Sequence, residues 1–590
     1  MAASSALISV LITSYNYRHY ITRAIDSVLA QTYPNVEIIV SDNASTDGTP
    51  ALLHERYGAE PRVRVYENDT NRGELWNSNR AFELSSGEFV LWLSADDWML
   101  PRHLARLHDV FEREPQVDVV HSGAYYADAE SRVWTLRLLR GQLPFDYVDA
   151  RDEVVEMFTT TCPLCWPAAL FRRSVFLELG VENPADGIHA TDWEMQIRLA
   201  LGGKRFAYLQ DPSTVVRLHG GQQTSQVYVD SSRAAMDYVA ILEKFADEPA
   251  AIARLRGRET AVVAQLDRMV NEAQASGEDP FTAAQRARIA AQRTCWVDRA
   301  AAYRPALVRE ARISVIVPTP QAPQLAERAI ASVAAQTHPN WELVIVDHGP
   351  MPFEELFRAN TVWNRMSYVR SPYSFSAGRA RNFGMRLARG EYLVFLDEDH
   401  TLAPEHLAAL VATIERSGGT VAASGARTIF ESADATMTTF TPLREERFHR
   451  TGAEAAQLRA VAPVLPLGAL LLHRSVQDHA GAFDETLPFL DDFEYVLRLD
   501  GPFAPAFAEA ETLEVRVRVQ LNSALGAYLQ QVPALLDRVY AAHPVSPALT
   551  AGRAAYRADV ERAIRGVVGQ TVTVDAIVGL VATLSGRGNG

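Results

Sequence analysis

Asp96 and Asp97 follow an apolar run, Phe89 to Leu93, and a Ser-Ala step. If the run is a strand, two carboxylates stand at its end, where hard oxygen donors suit Mg²⁺ or Mn²⁺ and substrate phosphates complete the shell. The same SADD also suits a turn in which Asp side chains bond nearby backbone. A second apolar run, Val36 to Val40, leads into Ser41, Asp42 and Asn43 and then Ser45-Thr46-Asp47-Gly48. Asp42 could accept a hydrogen bond from a base imino group or a ribose hydroxyl, whereas Asp47 and Gly48 read as turn chemistry. Asp192 opens Asp-Trp-Glu, with an Arg four residues after Glu194. A carboxylate there can act as a general base, or it can simply cap or favour a helix start. His219 closes Arg217-Leu218-His219 and is otherwise a loop histidine. Trp98 and Trp193 read as packing residues. No GxGxxG or GxxxxGK loop occurs, so phosphate handling rests on a metal and isolated basic groups, which disfavours dehydrogenases and P-loop enzymes.

These residues recur. Residues 8 to 42 align without gaps on residues 313 to 347, with 15 of 35 positions identical. The match resumes where Gly87-Glu88 pairs with Gly390-Glu391, and again where Asp192-Trp193-Glu194 pairs with Asp492-Phe493-Glu494. So long a period means a duplicated domain, since solenoid repeats run about 20 to 50 residues. Each copy alternates short β-branched runs (Ile8 to Ile12, Val36 to Val40, Phe89 to Leu93) with helical stretches such as Ile21 to Ala30. The expected fold class is α/β, with two tandem Rossmann-like domains, each a mostly parallel sheet flanked by helices. Ligands of such sheets sit beyond the carboxyl ends of the strands, where the acidic residues fall. The expected boundaries are 1–230 for the first unit, 231–310 for a helical connector or appendage, 311–520 for the second unit and 521–590 for a helical tail. Pro533, Pro544 and Pro547 read as helix breaks in that tail.

The 590 residues are 48% hydrophobic and 22% charged, an ordinary soluble composition able to bury a core. A net charge of −15 argues against general affinity for nucleic acid or anionic lipid. Three cysteines cannot form a disulfide framework, and Cys162-Pro-Leu-Cys165 has no second ligand pair for zinc, so the two read as buried thiols. No basic leader opens the sequence, and the apolar run from Leu7 to Ile12 is far below the roughly 20 residues of a membrane span. A cytoplasmic protein is expected. Peripheral membrane association is not evident from any basic amphipathic segment.

The ordered set resembles family 2 glycosyltransferases of the GT-A fold. It comprises ISVLITSYN, AQTYPN, a strand ending in Asp, NRG with a later Asn79, GEF-strand-SADD, TDWE and RLH. The resemblance covers roughly residues 7 to 225 and 312 to 520, where FDETLPFLDDFEYVLRL is the most typical segment of the second copy. It implies a nucleotide-diphosphate-sugar donor, commonly a UDP-sugar, Mn²⁺ or Mg²⁺, and inversion at the anomeric carbon. Carried onto matching positions, it implies that Asp42 holds uracil and Asp96 the ribose or metal-bound diphosphate. Asp97 is then the metal ligand, Asp192 the catalytic base and His219 a further contact to metal or diphosphate. The implied acceptor is a glycan, a lipid-linked sugar or a protein.

In the second copy Asp347, Asp399 and Asp492 match Asp42, Asp96 and Asp192, and Arg381 is placed to contact the diphosphate. His400 stands where Asp97 does and Gln520 where His219 does. Imidazole binds Mn²⁺, and Asp397 adds a carboxylate, so Asp399 with His400 makes an altered metal site or none. Two readings stay open: a two-site transferase like bacterial two-domain polysaccharide-synthesising enzymes, or one active N-terminal site with a C-terminal saccharide-binding or assembly module. A sugar nucleotidylyltransferase is a remote third, because no glycine-rich loop with Arg or Lys follows either first strand.

Overall fold

The computed structural model describes residues 6–585 except 138–145, 149–151, 161, 182–187, 220–230, 276–278, 303–309, 321–322, 350–361, 363–364, 372–373, 434–439, 447–460, 464, 500–502, 519–528 and 569–573. Gln520 therefore lies outside the described residues. The chain divides into two compact units, Met1–Tyr303 and Arg304–Gly590.

The first unit is built on strands β1 (Ile8–Ser14), β2 (Val36–Asp42), β3 (Val63–Glu67), β4 (Phe89–Trp92), β5 (Trp98–Met99), β6 (Val119–Ala127), β7 (Val133–Arg137), β8 (Tyr147–Val148), β9 (Ala169–Arg172) and β10 (Phe206–Arg217). Their order is β3-β2-β1-β4-β9-β6-β10-β5, with β7 on β6 and β8 on β10. The β1, β2, β3 and β4 ladders are parallel, as is β6 with β10, while β9 runs antiparallel to its neighbours. The sheet is thus mixed, with its long ladders parallel.

Nearly every residue of β1 is buried, as a strand covered on both faces must be. Alternation along the strand divides those residues between two cores. Leu11, Ile39 and Val90 enter one apolar cluster, and Val10, Ile12, Ile38, Val40 and Leu91 the other. The first of these clusters is closed by Tyr238, Leu242, Leu266 and Trp296. The helices Ser231–Phe245, Pro249–Leu255, Glu259–Gln274 and Ala283–Ala302 therefore supply part of the first unit's core.

The second unit repeats the plan with β11 (Ile313–Thr319), β12 (Trp341–Asp347), β13 (Met366–Arg370), β14 (Tyr392–Phe395), β15 (His400–Leu402), β16 (Val421–Ala433), β17 (Phe440–Glu446), β18 (Leu470–His473) and β19 (Ala506–Arg518). The order β13-β12-β11-β14-β18-β16-β19-β15 is that of the first sheet, strand for strand. Register agrees too: Asp42 lies opposite Ser14, and Asp347 opposite Thr319. Helices Val532–Ala542, Pro547–Val567 and Val574–Leu584 follow. Pro544 lies in the break between the first two of these helices, while Pro533 and Pro547 sit in first turns, where a missing N–H costs nothing. Among the described residues no helix is long and apolar enough to cross a membrane.

The repeated Gly-Glu has a packing cause. Gly87 N donates to Ser9 Oγ at 2.7 Å, and Gly390 N to Ser314 Oγ at 2.7 Å. A Cβ on Gly87 would lie 2.6 Å from Ser9 Oγ, 2.7 Å from Ser9 N and 2.8 Å from Leu7 O, and Gly390 is equally tight. We predict that Gly87→Ala destabilises the first unit by about 1–3 kcal/mol, read as an earlier thermal unfolding transition. An unchanged transition would refute this account of the glycine.

Candidate active site

Parallel pairing brings the ends of β1, β2 and β4 together, and the acidic residues with them. Asp42 ends β2 fully buried, accepting Ser45 N at 2.8 Å and Ser45 Oγ at 2.7 Å. Asp47 instead accepts Arg18 N and Thr49 N, both at 3.0 Å, and so does the turn work expected of it.

Asp96 and Asp97 follow β4, buried side by side but turned to different partners. Asp96 Oδ2 meets His219 Nε2 at 3.1 Å. Asp97 Oδ1 accepts Arg217 N at 2.8 Å. Burial first, then the charge of Asp96, pushes Asp97 well above the usual carboxylate range, against the opposing pull of its bonds to Arg217 N and Ser94. Arg217 bridges the site, with Nε on the Asp96 carbonyl at 2.9 Å and its guanidinium carbon 4.6 Å from the Tyr20 ring centre and 4.9 Å from that of Trp98. The Tyr20 ring lies 5.0 Å from the His219 ring.

Asp192 sits in the first turn of helix Thr191–Leu201, but it is not the cap. That position is Ala190, with no side-chain cap bond. Asp237 holds the helix start instead, accepting His189 N at 3.0 Å and Ala190 N at 3.2 Å. Asp192 Oδ1 accepts the N–H of the next residue, Trp193, at 2.8 Å. Burial raises its affinity for a proton, and Asp237 adds to that. Asp192 in turn raises Glu74, a neighbour that sequence reasoning missed although it follows the Asn71-Arg72-Gly73 motif. Desolvation, then Asp192, then Asp96 raise the proton affinity of Glu74.

Cys162 and Cys165 are free thiols pushed up first by burial. Asp192 adds to both shifts and Asp97 to that of Cys165, so the CPLC segment lies against the acidic cluster as neutral thiol. Trp98 and Trp193 are buried packing residues.

In the second unit Asp492 repeats Asp192: first turn of helix Asp491–Leu497, with Oδ1 accepting Phe493 N at 2.8 Å. Burial, then Asp491, lifts it to about 6. Asp347 is more engaged than Asp42. It accepts Gly349 N at 3.0 Å and Tyr368 OH at 2.5 Å, and pairs with Arg370 at 3.1 Å.

Arg381 is buried and held by carboxylates, with Nη1 to Asp491 at 2.5 Å and Nη2 to Asp397 at 2.6 Å. Burial would lower it, but Asp397, Asp491 and Asp492 hold it well above the usual arginine range. At the aligned positions the first unit has Ser78, Ser94 and Thr191 for Arg381, Asp397 and Asp491, so the whole triad is exchanged for small hydroxyl residues.

His400 opens β15 with Nε2 3.7 Å from Asp399 and Nδ1 4.0 Å from Asp397, and Arg518 lies 3.9 Å from Asp399. Burial raises Asp399 despite His400.

Among the described residues no group of three or more His, Cys, Asp and Glu side chains is arranged to hold a metal unaided. Asp96 with His219 offers two converging donors. That suits a hard cation whose remaining ligands come from a diphosphate.

Each α/β unit carries an aspartate at the end of its second parallel strand. A model of glycosyl transferase family 2 matches residues 9–180 and again 314–477, more than half of the chain, and the chain belongs to that family. One matched segment falls on each of the two α/β units. An uncharacterized glycosyltransferase of Rickettsia conorii is 26% identical over 402 residues, covering 67% of this chain and 61% of the relative. This chain thus spans less than two thirds of that relative's length. Chondroitin synthase of Escherichia coli is 32% identical over 127 residues, covering 22% of this chain and 18% of that protein. Among solved structures, a Pyrobaculum calidifontis mannosyltransferase in complex with GDP-Man and Mn²⁺ is 19% identical with a TM-score of 0.31, covering 51% of this chain and 87% of that one.

The raised Asp492 carries a stability signature. Ionising it in the folded state is disfavoured, so its cost is absent below about pH 4 and complete above about pH 6. Asp492→Asn is therefore expected to be more stable than wild type at pH 7 to 8, on the order of 1 kcal/mol, with the gain gone at pH 4. Thermal unfolding at both pH values measures it, and a gain equal at both would remove the titration as its cause.

Proposed function

We propose that both units transfer sugar from a nucleotide-diphosphate sugar, read as a UDP-sugar, to hydroxyl groups of a glycan or glycoconjugate, with inversion. The observation that supports two sites is the repeated placement of Asp192 and Asp492. Each is in the first turn of its helix and raised in proton affinity, with a carboxylate oxygen held by the following N–H. A base so held can take the acceptor proton at its other oxygen. The hydroxyl oxygen then bonds to C1 from one face, while the C1–O bond to the diphosphate breaks on the other and the electron pair leaves with the nucleotide. Asp42 and Asp347 would orient the base or ribose from the ends of β2 and β12. Asp96 and His219 would hold Mn²⁺ or Mg²⁺ beside Asp97, and that cation, when bound, neutralises charge growing on the leaving diphosphate. In the second unit Asp399 and His400 stand at the Asp96 and Asp97 positions, with Arg381 as a resident positive charge near the base.

One observation favours a second reading, a single active N-terminal site. Asp347 is already paired with Arg370 and Tyr368, and Arg381 with two carboxylates, so the C-terminal module would bind saccharide without turning over donor.

Nucleotide release from UDP-, GDP- and dTDP-sugars with Mn²⁺ or Mg²⁺ separates these readings without knowledge of the acceptor. Two donors are expected to be turned over, one slowed about 10²- to 10⁴-fold by Asp192→Asn and the other by Asp492→Asn. A single donor insensitive to Asp492→Asn establishes the one-site reading, and no turnover of any donor refutes both. Removing divalent cation with chelator is expected to cost the first site more than the second, because the Arg381 charge stays in place. Equal loss at both sites would contradict that.

A further inference from the structure

The helix that carries each candidate base is gripped from behind by helices outside the family match, which ends at residues 180 and 477. In the first unit Glu194 is nearly fully buried two residues after Asp192. Its Oε1 accepts Arg198 Nε at 2.8 Å and Lys244 Nζ at 2.6 Å. Arg198 is on the same helix and also donates to the carbonyls of Leu179 at 2.6 Å and Val181 at 2.9 Å. Lys244 comes from helix Ser231–Phe245. That same helix sends Tyr238 to stack on Trp193, with ring centres 5.4 Å apart at 18°, and Asp237 to bind the backbone before Asp192.

The second unit has the same arrangement from different residues. Glu494 pairs with Arg498 at 2.5 Å and with His543 Nε2 at 2.9 Å. Arg498 donates to the Ala480 and Ala482 carbonyls. Tyr540 meets the Phe493 ring edge-on at 6.2 Å. Tyr540 is in helix Val532–Ala542, and His543 follows its end.

We propose that Lys244 and His543 are positioning residues for Asp192 and Asp492, so that the helices after each sheet belong to the catalytic unit. At 3.6 residues per turn, positions two apart point to nearly opposite sides of a helix. A Glu locked inward by Lys244 or His543 therefore leaves the Asp two residues earlier facing the cleft, where Asp192 is felt by Glu74, Cys162 and Cys165. Truncating the partner leaves a buried carboxylate with one side-chain partner instead of two, and the first turn shifts to rehydrate it. A displacement of about 1 Å at a reacting group can cost on the order of 100-fold in rate.

The inference rests on Asp192 and Asp492 being the bases, and steady-state donor hydrolysis by the full chain tests it. Lys244→Met and His543→Leu are each expected to lower kcat for their own site's donor about 10- to 100-fold. KM for the donor should stay within about twofold, because the donor-holding residues are untouched. Lys244→Arg and His543→Lys, which restore a cation, should recover most of the rate. If Lys244→Met does not fold, Lys244→Gln keeps length and a donor without the charge, and its kcat is compared at equal folded fraction.

Unchanged kcat overturns the proposal. So does a loss that the cation-restoring variants share, or a KM that rises in step with the fall in kcat. Wild type that turns over no donor refutes the transferase reading itself, and this one with it. Wild type that works beside variants that match it refutes only the positioning role.

Discussion

Mutual repulsion of carboxylates is the constraint around which each unit is organised. The ends of the parallel strands deliver Asp42 and the Asp96-Asp97 pair to one place, and a helix start brings Asp192 toward them. Buried like charges this close raise one another's proton affinity, as Asp97 does beside Asp96 and Asp492 beside Asp491. Such a cluster persists because the rest of the sheet and helices over-determines it, and it is poised to take up positive charge or a proton.

The two units resolve that repulsion differently. In the first, the cluster is met by His219, by Arg217 through its backbone N–H and guanidinium, and by Ser94, with Ser78 and Thr191 at the other two positions of the exchanged triad. The second places a whole guanidinium among Asp397, Asp491 and Asp492. Since Arg381 contacts both Asp397 and Asp491, exchanging it alone would leave two carboxylates without their counter-ion, and the three positions differ between the units as a set. The same logic recurs behind the base, where Glu194 and Glu494 each keep two hydrogen-bonding partners although Lys244 and His543 differ in chemistry.

Much of this was legible in the linear chain. The duplication, the α/β class, the strands and the position of Asp42, Asp96 and Asp192 at element ends follow from periodicity and from motifs shared by the copies, because a parallel sheet puts its strand ends on one side whatever the loops do. The Gly-Glu dipeptide was visible as a repeat, but its reason, a backbone approach too close for a Cβ, belongs to the contact with Ser9 or Ser314.

The sequence by itself determined which residue types stand at the strand ends, because local hydrophobic period and turn chemistry are properties of neighbours in the chain. Only the tertiary structure decided which oxygen faces which partner. Asp96, and not Asp97, meets His219, and Asp237 rather than Asp192 holds the helix start. Arg381 is taken up by Asp397 and Asp491, and the helices after residue 231 close the first unit's core. Each of these joins residues from 16 to more than 100 positions apart, and such pairings depend on how the elements pack and which charges burial forces together, which no local pattern encodes.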